Sequence, residues 1–246
     1  MSPVVSVSVV SHGQSELVGQ LVEDIDRSCS TAVELILTEN VPGGAPLKRS
    51  SVYPTRHIAN QQPKGFGANH NAAHSHCRAP FFCVMNPDVR MQRDPFPGLT
   101  RVLADDGVAV TGPLIRNPAG GIEDSARRFP TLASLAAKLL RPGPRGPDYA
   151  ADGGPVRVDW VAGMCMLFRT ETYAALGGFD ERYFLYYEDI DLCRRAGQRG
   201  LAVVYEPRVE LIHDARRGSR RSPRLALHHA CSIARYFLTT SGKTSL

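Results

Sequence analysis

Apolar runs of five to seven residues recur along the first half of this chain. Each ends in small polar residues, and helical patterns separate them. Val4-Val5-Ser6-Val7-Ser8-Val9-Val10 predicts a buried strand ending at Ser11-His12-Gly13, with a helix from Ser15 to about Cys29. Val33 to Thr38 predicts a second strand, ending at Glu39-Asn40 and a Pro/Gly turn, and Val52 to Ile58 a short third. Helix is expected over Ala68–His76 and Pro97–Ala104, and strand over Pro80–Met85 and Val108–Thr111. Strands alternating with helices at this spacing imply an α/β fold: a mostly parallel central sheet with helices on both faces. Ligands of such sheets bind outside the carboxyl ends of the strands. Here those ends carry Ser11-His12, Glu39-Asn40 and Asn86-Pro87-Asp88.

The second half reads differently. Residues 117–157 are rich in Gly, Pro and Arg and are expected to form a long, partly mobile excursion. Val158–Gly163 and Met164–Phe168 read as extended segments around a glycine. Leu201–Tyr205 and Val209–His213 read as two further strands, and Leu225–Thr240 as a partly amphipathic helix. The expected organisation is one domain over 1–215, divided at about 115 into two halves, followed by a basic segment and helix over 216–246.

Composition narrows the function classes. No run of 18 apolar residues is present, so no membrane-spanning helix is expected, and the apolar N-terminal segment lacks a basic lead, as a strand rather than a signal peptide would. Six scattered cysteines without a CxxC pair argue against a zinc site and fit reduced thiols, hence a cytoplasmic protein. The net charge of +5 is unevenly placed: Arg216, Arg217, Arg220, Arg221 and Arg224 fall close together. Such a run is read either as a solvated loop or as a peripheral contact with the inner face of the cytoplasmic membrane. No recognition helix or stacking platform accompanies it, so no nucleic-acid partner is expected.

The densest chemistry is Glu188-Asp189-Ile190-Asp191, which follows the aromatic run Tyr183–Tyr187 and opens a helix. Three carboxylates in four positions repel one another. A helix N-terminus tolerates them, and their mutual repulsion raises the pKa of any that acts as a base. Upstream, Asn60-Gln61-Gln62-Pro63-Lys64-Gly65-Phe66-Gly67-Ala68-Asn69 is a glycine loop opening a helix, where backbone N–H groups can meet phosphate oxygens. It is not a dinucleotide fingerprint, since position 70 is His and no strong strand precedes it. Trp160, the only tryptophan, reads either as a core aromatic or as a sugar-stacking platform beside Asp159 and Gly163. His70, His74 and His76 sit at near-helical spacing but read more readily as facing phosphate or solvent than as metal ligands.

Taken in order, "VSVVSHG … NQQPKGFGANHNAAH … NPDV … VDWVAGMCMLFR … GGFDERYFLYYEDIDLCRRAGQRG … LIH" resembles the family-2 glycosyltransferases of the GT-A fold, and most closely their rhamnosyltransferase branch. The resemblance covers about residues 4 to 215. It implies an inverting transferase that moves L-rhamnose from dTDP-L-rhamnose, or a sugar from another dTDP- or UDP-sugar, to a polysaccharide or lipid-linked glycan. It implies that Asp189 is the general base with Glu188 beside it, and that Asp88 and His213 hold a divalent cation, Mg2+ or Mn2+. Donor contacts are expected from Ser11, His12, Glu39, Lys64, Gly65, Phe66, Asn69, Asn86 and Asp88, and acceptor or sugar contacts from Trp160, Gly163 and Asp191. Two positions depart from the family pattern: Glu39 stands where Asp is usual, and Asn86 replaces the first aspartate of the metal motif. Two rival readings fit these residues less well. A nucleotidyltransferase would want a glycine-rich loop straight after the first strand, which Ser11-His12-Gly13-Gln14 does not supply. A non-catalytic nucleotide-sugar-binding protein would not need the Glu188–Asp189 pair.

Overall fold

The computed structural model describes residues 2–140, 146–214 and 223–241. Its first half runs β1 (Val5–Ser11), α1 (Ser15–Ser28), β2 (Val33–Glu39), β3 (Thr55–Ala59), α2 (Phe66–His74), β4 (Phe81–Met85), β5 (Val89–Arg90), α3 (Phe96–Val102) and β6 (Val108–Arg116). The second half runs β7 (Ala126–Arg127), α4 (Leu132–Leu140), β8 (Val156–Val158), β9 (Trp160–Val161), β10 (Cys165–Arg169), α5 (Thr170–Ala175), α6 (Glu188–Gln198), β11 (Ala202–His213) and α7 (Pro223–Ser241).

The main sheet has the order β3-β2-β1-β4-β10-β6-β11-β5, with β8 beside β11, and β7 pairs separately with β9. β3, β2, β1 and β4 are parallel, and β11 is parallel to β6. β10 runs antiparallel between β4 and β6, so a strand of the second half is wedged into the sheet of the first. Both faces of the sheet are buried, as the helix-flanked architecture requires. Cys83, Met85 and Leu167 face one apolar cluster, with Leu21 and Ile25 of α1, while Phe82, Val84, Met166 and Phe168 face another, with Tyr173 and Leu192. β1 shows the same alternation with a polar twist. Val5, Val7 and Val9 enter the first cluster, while Ser6 and Ser8 are fully buried on the opposite face. There Ser6 donates to Glu34, and Ser8 Oγ lies 2.8 Å from His70 Nδ1.

Three expectations change. The two strands over 201–213 are one strand, β11, whose register with β6 shifts between Glu206 and Glu210. Pro207 lies at that break and has no N–H to give the ladder, which is what splits the sequence pattern. The 117–157 excursion contains β7, α4 and the start of β8. Of the three histidines, expected to face phosphate or solvent, His70 is instead buried at 1% exposure. Burial lowers the pKa of His70 to about 3 and keeps it neutral for its bond with Ser8, His74 Nε2 lies 3.2 Å from Thr170 O, and His76 is exposed.

One buried charge fixes the edge of the sheet near the strand ends. Asp24 of α1, 1% exposed, accepts hydrogen bonds from Arg90 (Nε 2.6 Å, Nη2 2.9 Å), from Met91 N (3.1 Å) and from Arg27 (2.6 Å). This clamps β5 beneath α1 and so locates Asp88, one residue before β5. Burial opposes ionisation of Asp24, but the bonds from Arg90, Met91 and Arg27 outweigh it and hold its pKa below the ordinary value. A depressed folded-state pKa gives stability that is present above the unfolded pKa and lost as pH falls through the folded one. Asp24→Asn is expected to cost about 3 kcal/mol, the low end for a broken buried ion pair, because both arginines keep contact with water. Urea unfolding should show that cost at neutral pH and should show it shrinking on acidification below about pH 4.

Candidate active site

The carboxyl ends of β1 and β2 are in register, with Ser11 opposite Glu39. Ser11 is buried, and its hydroxyl accepts from Gln14 N at the start of α1 (3.0 Å). His12 is exposed, and Glu39 accepts from Gly44 N (3.0 Å). Beside them three asparagines staple the glycine loop to the strand ends. Asn40 Oδ1 accepts from Lys64 N (2.8 Å) and from Asn60 Nδ2 (2.9 Å), while Asn40 Nδ2 donates to Lys64 O (3.0 Å) and His12 Nδ1 (3.2 Å). Asn60 Nδ2 also donates to Asn69 Oδ1 (2.6 Å), and Asn69 Nδ2 to Gly65 O (2.9 Å).

This network corrects the expected part of the loop. Asn69 is 1% exposed with its amide committed, so it braces the loop rather than facing a ligand. Two of the loop's N–H groups are also engaged: Lys64 N by Asn40, and Phe66 N by Phe184 O (2.9 Å). The Lys64 side chain is exposed and free to meet a phosphate, and Gln61 and Gln62 beside it are exposed too. The network's other members, Asn40 and Asn60, were not among the expected site residues. Their signal was only that of turn-forming residues.

Gly65 and Gly163 let two loops meet. A Cβ on Gly65 would lie 2.7 Å from Phe184 O, and one on Gly163 would lie 3.0 Å from the Phe66 ring. Phe66 also packs edge-on against His70 (4.5 Å) and Phe179 (5.7 Å). On the far side of that contact lies the acidic motif. Tyr186 and Tyr187 both take left-handed backbone conformations, at φ 71° and 72°, which side chains rarely adopt. That turn delivers Glu188 and Asp189 into the first turn of α6.

Asp189 is half-buried. Its Oδ2 accepts from Gly163 N (3.0 Å) and its Oδ1 from Ile190 N (2.9 Å). Glu188 is 5% exposed, and its Oε2 has no hydrogen-bond partner among the described residues. Burial pushes both carboxyls up, and the Asp189 charge adds to the rise at Glu188, whereas the backbone N–H groups favour ionised Asp189. Both carboxyls are shifted the same way, and the rise is larger at Glu188, whose buried Oε2 lacks a partner among the described residues. Asp191 is not part of this pair. Its two oxygens are bound by Arg194 (3.2 Å) and Arg195 (2.7 Å), and Arg195 continues to the carbonyls of Leu176 and Gly178. The residue expected to touch substrate instead ties α6 to the 176–178 turn.

Met164, next to Gly163, joins this pair to the second acidic site, since Asn86 N donates to Met164 O (3.0 Å). Two residues on, Asp88 Oδ2 lies 3.2 Å from His213 Nε2, and His213 Nδ1 lies 2.6 Å from Glu123 Oε2. Burial disfavours the His213 cation, but Asp88 and Glu123 together outweigh that and push its pKa up to about 9. Glu123 was not expected here, because it lies in a Gly-rich stretch that carries no periodic signal. Trp160 is half-buried, donates from Nε1 to Arg128 O (3.0 Å), and packs beside Tyr183, Tyr187 and Ile190. Arg216, Arg217, Arg220 and Arg221 lie outside the described residues.

Solved structures share this architecture. A crystal structure of GalNAc-T7 with UDP, GalNAc and Mn2+ matches with TM-score 0.68 at 14% identity, covering 90% of this chain and 45% of that one. A mannosyltransferase from Pyrobaculum calidifontis, solved with GDP-Man and Mn2+, matches with TM-score 0.66 at 14% identity, covering 100% of this chain and 66% of that one. The class is therefore the GT-A α/β fold. Residues 2–231 match the model described as "Glycosyltransferase like family 2", and the chain belongs to that family. An N-acetylglucosaminyl-diphospho-decaprenol L-rhamnosyltransferase of Mycobacterium tuberculosis is 37% identical over 161 residues, 59% of this chain and 51% of the relative. Rhamnosyltransferase WbbL of Escherichia coli K12 is 27% identical over 230 residues, 88% of this chain and 85% of the relative. The chain thus spans about half the length of its mycobacterial relative.

The close approach at Gly65 gives a direct test of the site's architecture. Gly65→Ala must part the 64–66 and 184–187 loops, because the obstacle is a backbone carbonyl. It is expected to cost about 1–3 kcal/mol, as overpacking does, read as a lower urea midpoint with an unchanged slope.

Proposed function

We propose that this chain is an inverting glycosyltransferase that moves L-rhamnose from dTDP-L-rhamnose to a lipid-linked glycan acceptor. The observation that carries the reading is Asp189, oriented by hydrogen bonds from the Gly163 and Ile190 N–H groups beside the buried Glu188, with burial pushing both carboxyls up. The names of the two rhamnosyltransferase relatives support rhamnose and, for the mycobacterial one, a diphospho-decaprenol acceptor. In this reading residues 1–115 hold the donor, with Ser11, His12 and Glu39 beside the base and Lys64 beside the diphosphate. Residues 116–215 supply the base, and Trp160 and Gly163 line the sugar's position.

The reaction is one displacement. Asp189 takes the proton of the acceptor hydroxyl as its oxygen bonds to the anomeric carbon, while the bond from that carbon to the diphosphate oxygen breaks. The nucleoside diphosphate leaves with that electron pair. Glu188, kept neutral, adds no second negative charge where the acceptor must approach.

The residues fit a divalent cation, Mg2+ or Mn2+. Asp88 Oδ1 is buried with no partner among the described residues, and Glu123 on His213 Nδ1 leaves Nε2 to face the same point as Asp88. A carboxylate behind a histidine ligand is a common way of fixing the imidazole for metal binding. Asp88 and His213 would hold the ion, and bound there it would act as a Lewis acid on the leaving diphosphate. The structural relatives solved with Mn2+ support this use.

Two predictions follow the division of roles. Asp189→Asn should keep nucleotide-sugar binding but lose transfer by about two to four orders of magnitude, the range for a general base. Glu188→Gln, which mimics the protonated acid, should stay within about tenfold of the wild type. Steady-state transfer to a soluble acceptor analogue measures both, and equal losses would remove the assigned roles. For the cation, EDTA should abolish turnover and added Mn2+ restore it. Asp88→Ala should weaken nucleoside diphosphate binding only when the metal is present, as titration calorimetry would show.

A further inference from the structure

The longest helix turns an apolar face to solvent. Along α7 the exposed residues are Ala226, Leu227, Ala230, Cys231, Ala234 and Leu238, with His229 at the edge. Leu227 is 63% exposed and Leu238 77%. The spacing places them on one face, opposite the buried Ser232 and Tyr236. α4 does the same on a smaller scale: Leu132 is 69% exposed and Leu140 82%, with Ala133, Ala136 and Ala137 exposed between them. The two helices leave one region of the molecule. Phe129, just before α4, packs into the same aromatic cluster as Ile233, Tyr236 and Phe237 of α7.

Charge identifies what covers this face. The sequence over 125–147 and 215–246, which contains both helices, holds 12 of the 29 Lys and Arg and none of the 24 Asp and Glu. The rest of the chain, with 17 basic against 24 acidic residues, is net acidic. A leucine-bearing face within such basic stretches of sequence, with no helix among the described residues long and apolar enough to cross a membrane, matches an anionic bilayer, where leucines enter the acyl boundary and basic side chains meet the headgroups. A second copy of the chain would instead press two basic regions together.

We propose that the outward faces of α7 and α4 dock the protein on an anionic lipid surface. This deepens the reading of a lipid-linked acceptor, because α7's inner face touches the loop that carries Asp189: Ser232 Oγ donates to Leu185 O (2.9 Å), and Tyr236 packs on Tyr187 (5.4 Å). The docked face is thus one helix thickness from the turn that leads into Asp189, which keeps that residue close to the level of the headgroups.

The test is co-sedimentation of the full chain with phosphatidylcholine vesicles, with and without phosphatidylglycerol. Binding is expected only to the anionic vesicles and should weaken as salt rises. Leu227→Gln with Leu238→Gln, and separately Leu132→Gln with Leu140→Gln, should each lower vesicle partition by about tenfold or more, the loss of two partly buried leucines. The urea midpoint should not move, since these leucines are already exposed. Failure to bind anionic vesicles overturns the proposal. So does binding that ignores both leucine pairs, binding displaced equally by duplex DNA, or a salt-resistant dimer in sedimentation that the α7 pair dissociates. Sugar transfer to a soluble acceptor without vesicle binding would end this inference and leave the proposed function standing. Vesicle binding without transfer would do the reverse.

Discussion

The placement of β10 is the constraint on which the site depends. It runs antiparallel between β4 and β6, so the segment just before it, Gly163–Met164, must pass the carboxyl end of β4. There Met164 O accepts from Asn86, while Gly163 N reaches across to Asp189. A strand pair and two hydrogen bonds therefore bring an acid from residue 189 to a strand end at residue 86. No local preference links these positions. The link is the shared burial of Cys83, Met85 and Leu167 on one face and Phe82, Met166 and Phe168 on the other.

The chain treats its buried acids in two ways. Asp24, Glu34, Asp191 and Glu206 each sit within ion-pair distance of an arginine. Removing carboxylates from water costs several kcal/mol each, and only such pairing and hydrogen bonding repays it. Glu188 and Asp189 have no cation partner among the described residues, only backbone N–H groups at Asp189. Burial without a cation raises the pKa of both, and perturbed titration of this kind marks a candidate functional site. Asp88 stands between the two groups: its Oδ2 faces His213, while its Oδ1 is buried with no partner among the described residues.

What was legible in the sequence follows from this physics. β1, β2, β4 and α6 announce themselves because apolar runs and an acidic first turn are local signals. The Glu188–Asp189 pair and the Asp88–His213 pair were legible as ordered motifs, and the structure brings each pair together. The Asn40–Asn60–Asn69 staple was not legible, since an asparagine before a turn looks the same whether it braces a loop or meets a ligand. Glu123 was hidden in a glycine-rich stretch, and its reach to His213 depends on pairing between β6, β11 and β5. Asp191 was misleading for the opposite reason. It belongs to a conspicuous acidic cluster, but arginines one turn along α6 claim it, as i,i+3 and i,i+4 spacing allows.

The C-terminal helix is part of the active site's support. Two consecutive left-handed tyrosines cost about 1–3 kcal/mol each, so Tyr186 and Tyr187 need surroundings that hold them. α7 provides much of that. Tyr236 packs on Tyr187, Ser232 bonds the Leu185 carbonyl, His228 stacks on Phe184 at 4.5 Å, and His229 meets Tyr186 at 5.1 Å. Tyr183, Tyr187, Ile190 and Tyr236 form a separate apolar cluster, so the strained turn is buried by α7 rather than by the central sheet. The turn that leads into Glu188 and Asp189 is therefore held in place by a helix whose other face is exposed and apolar.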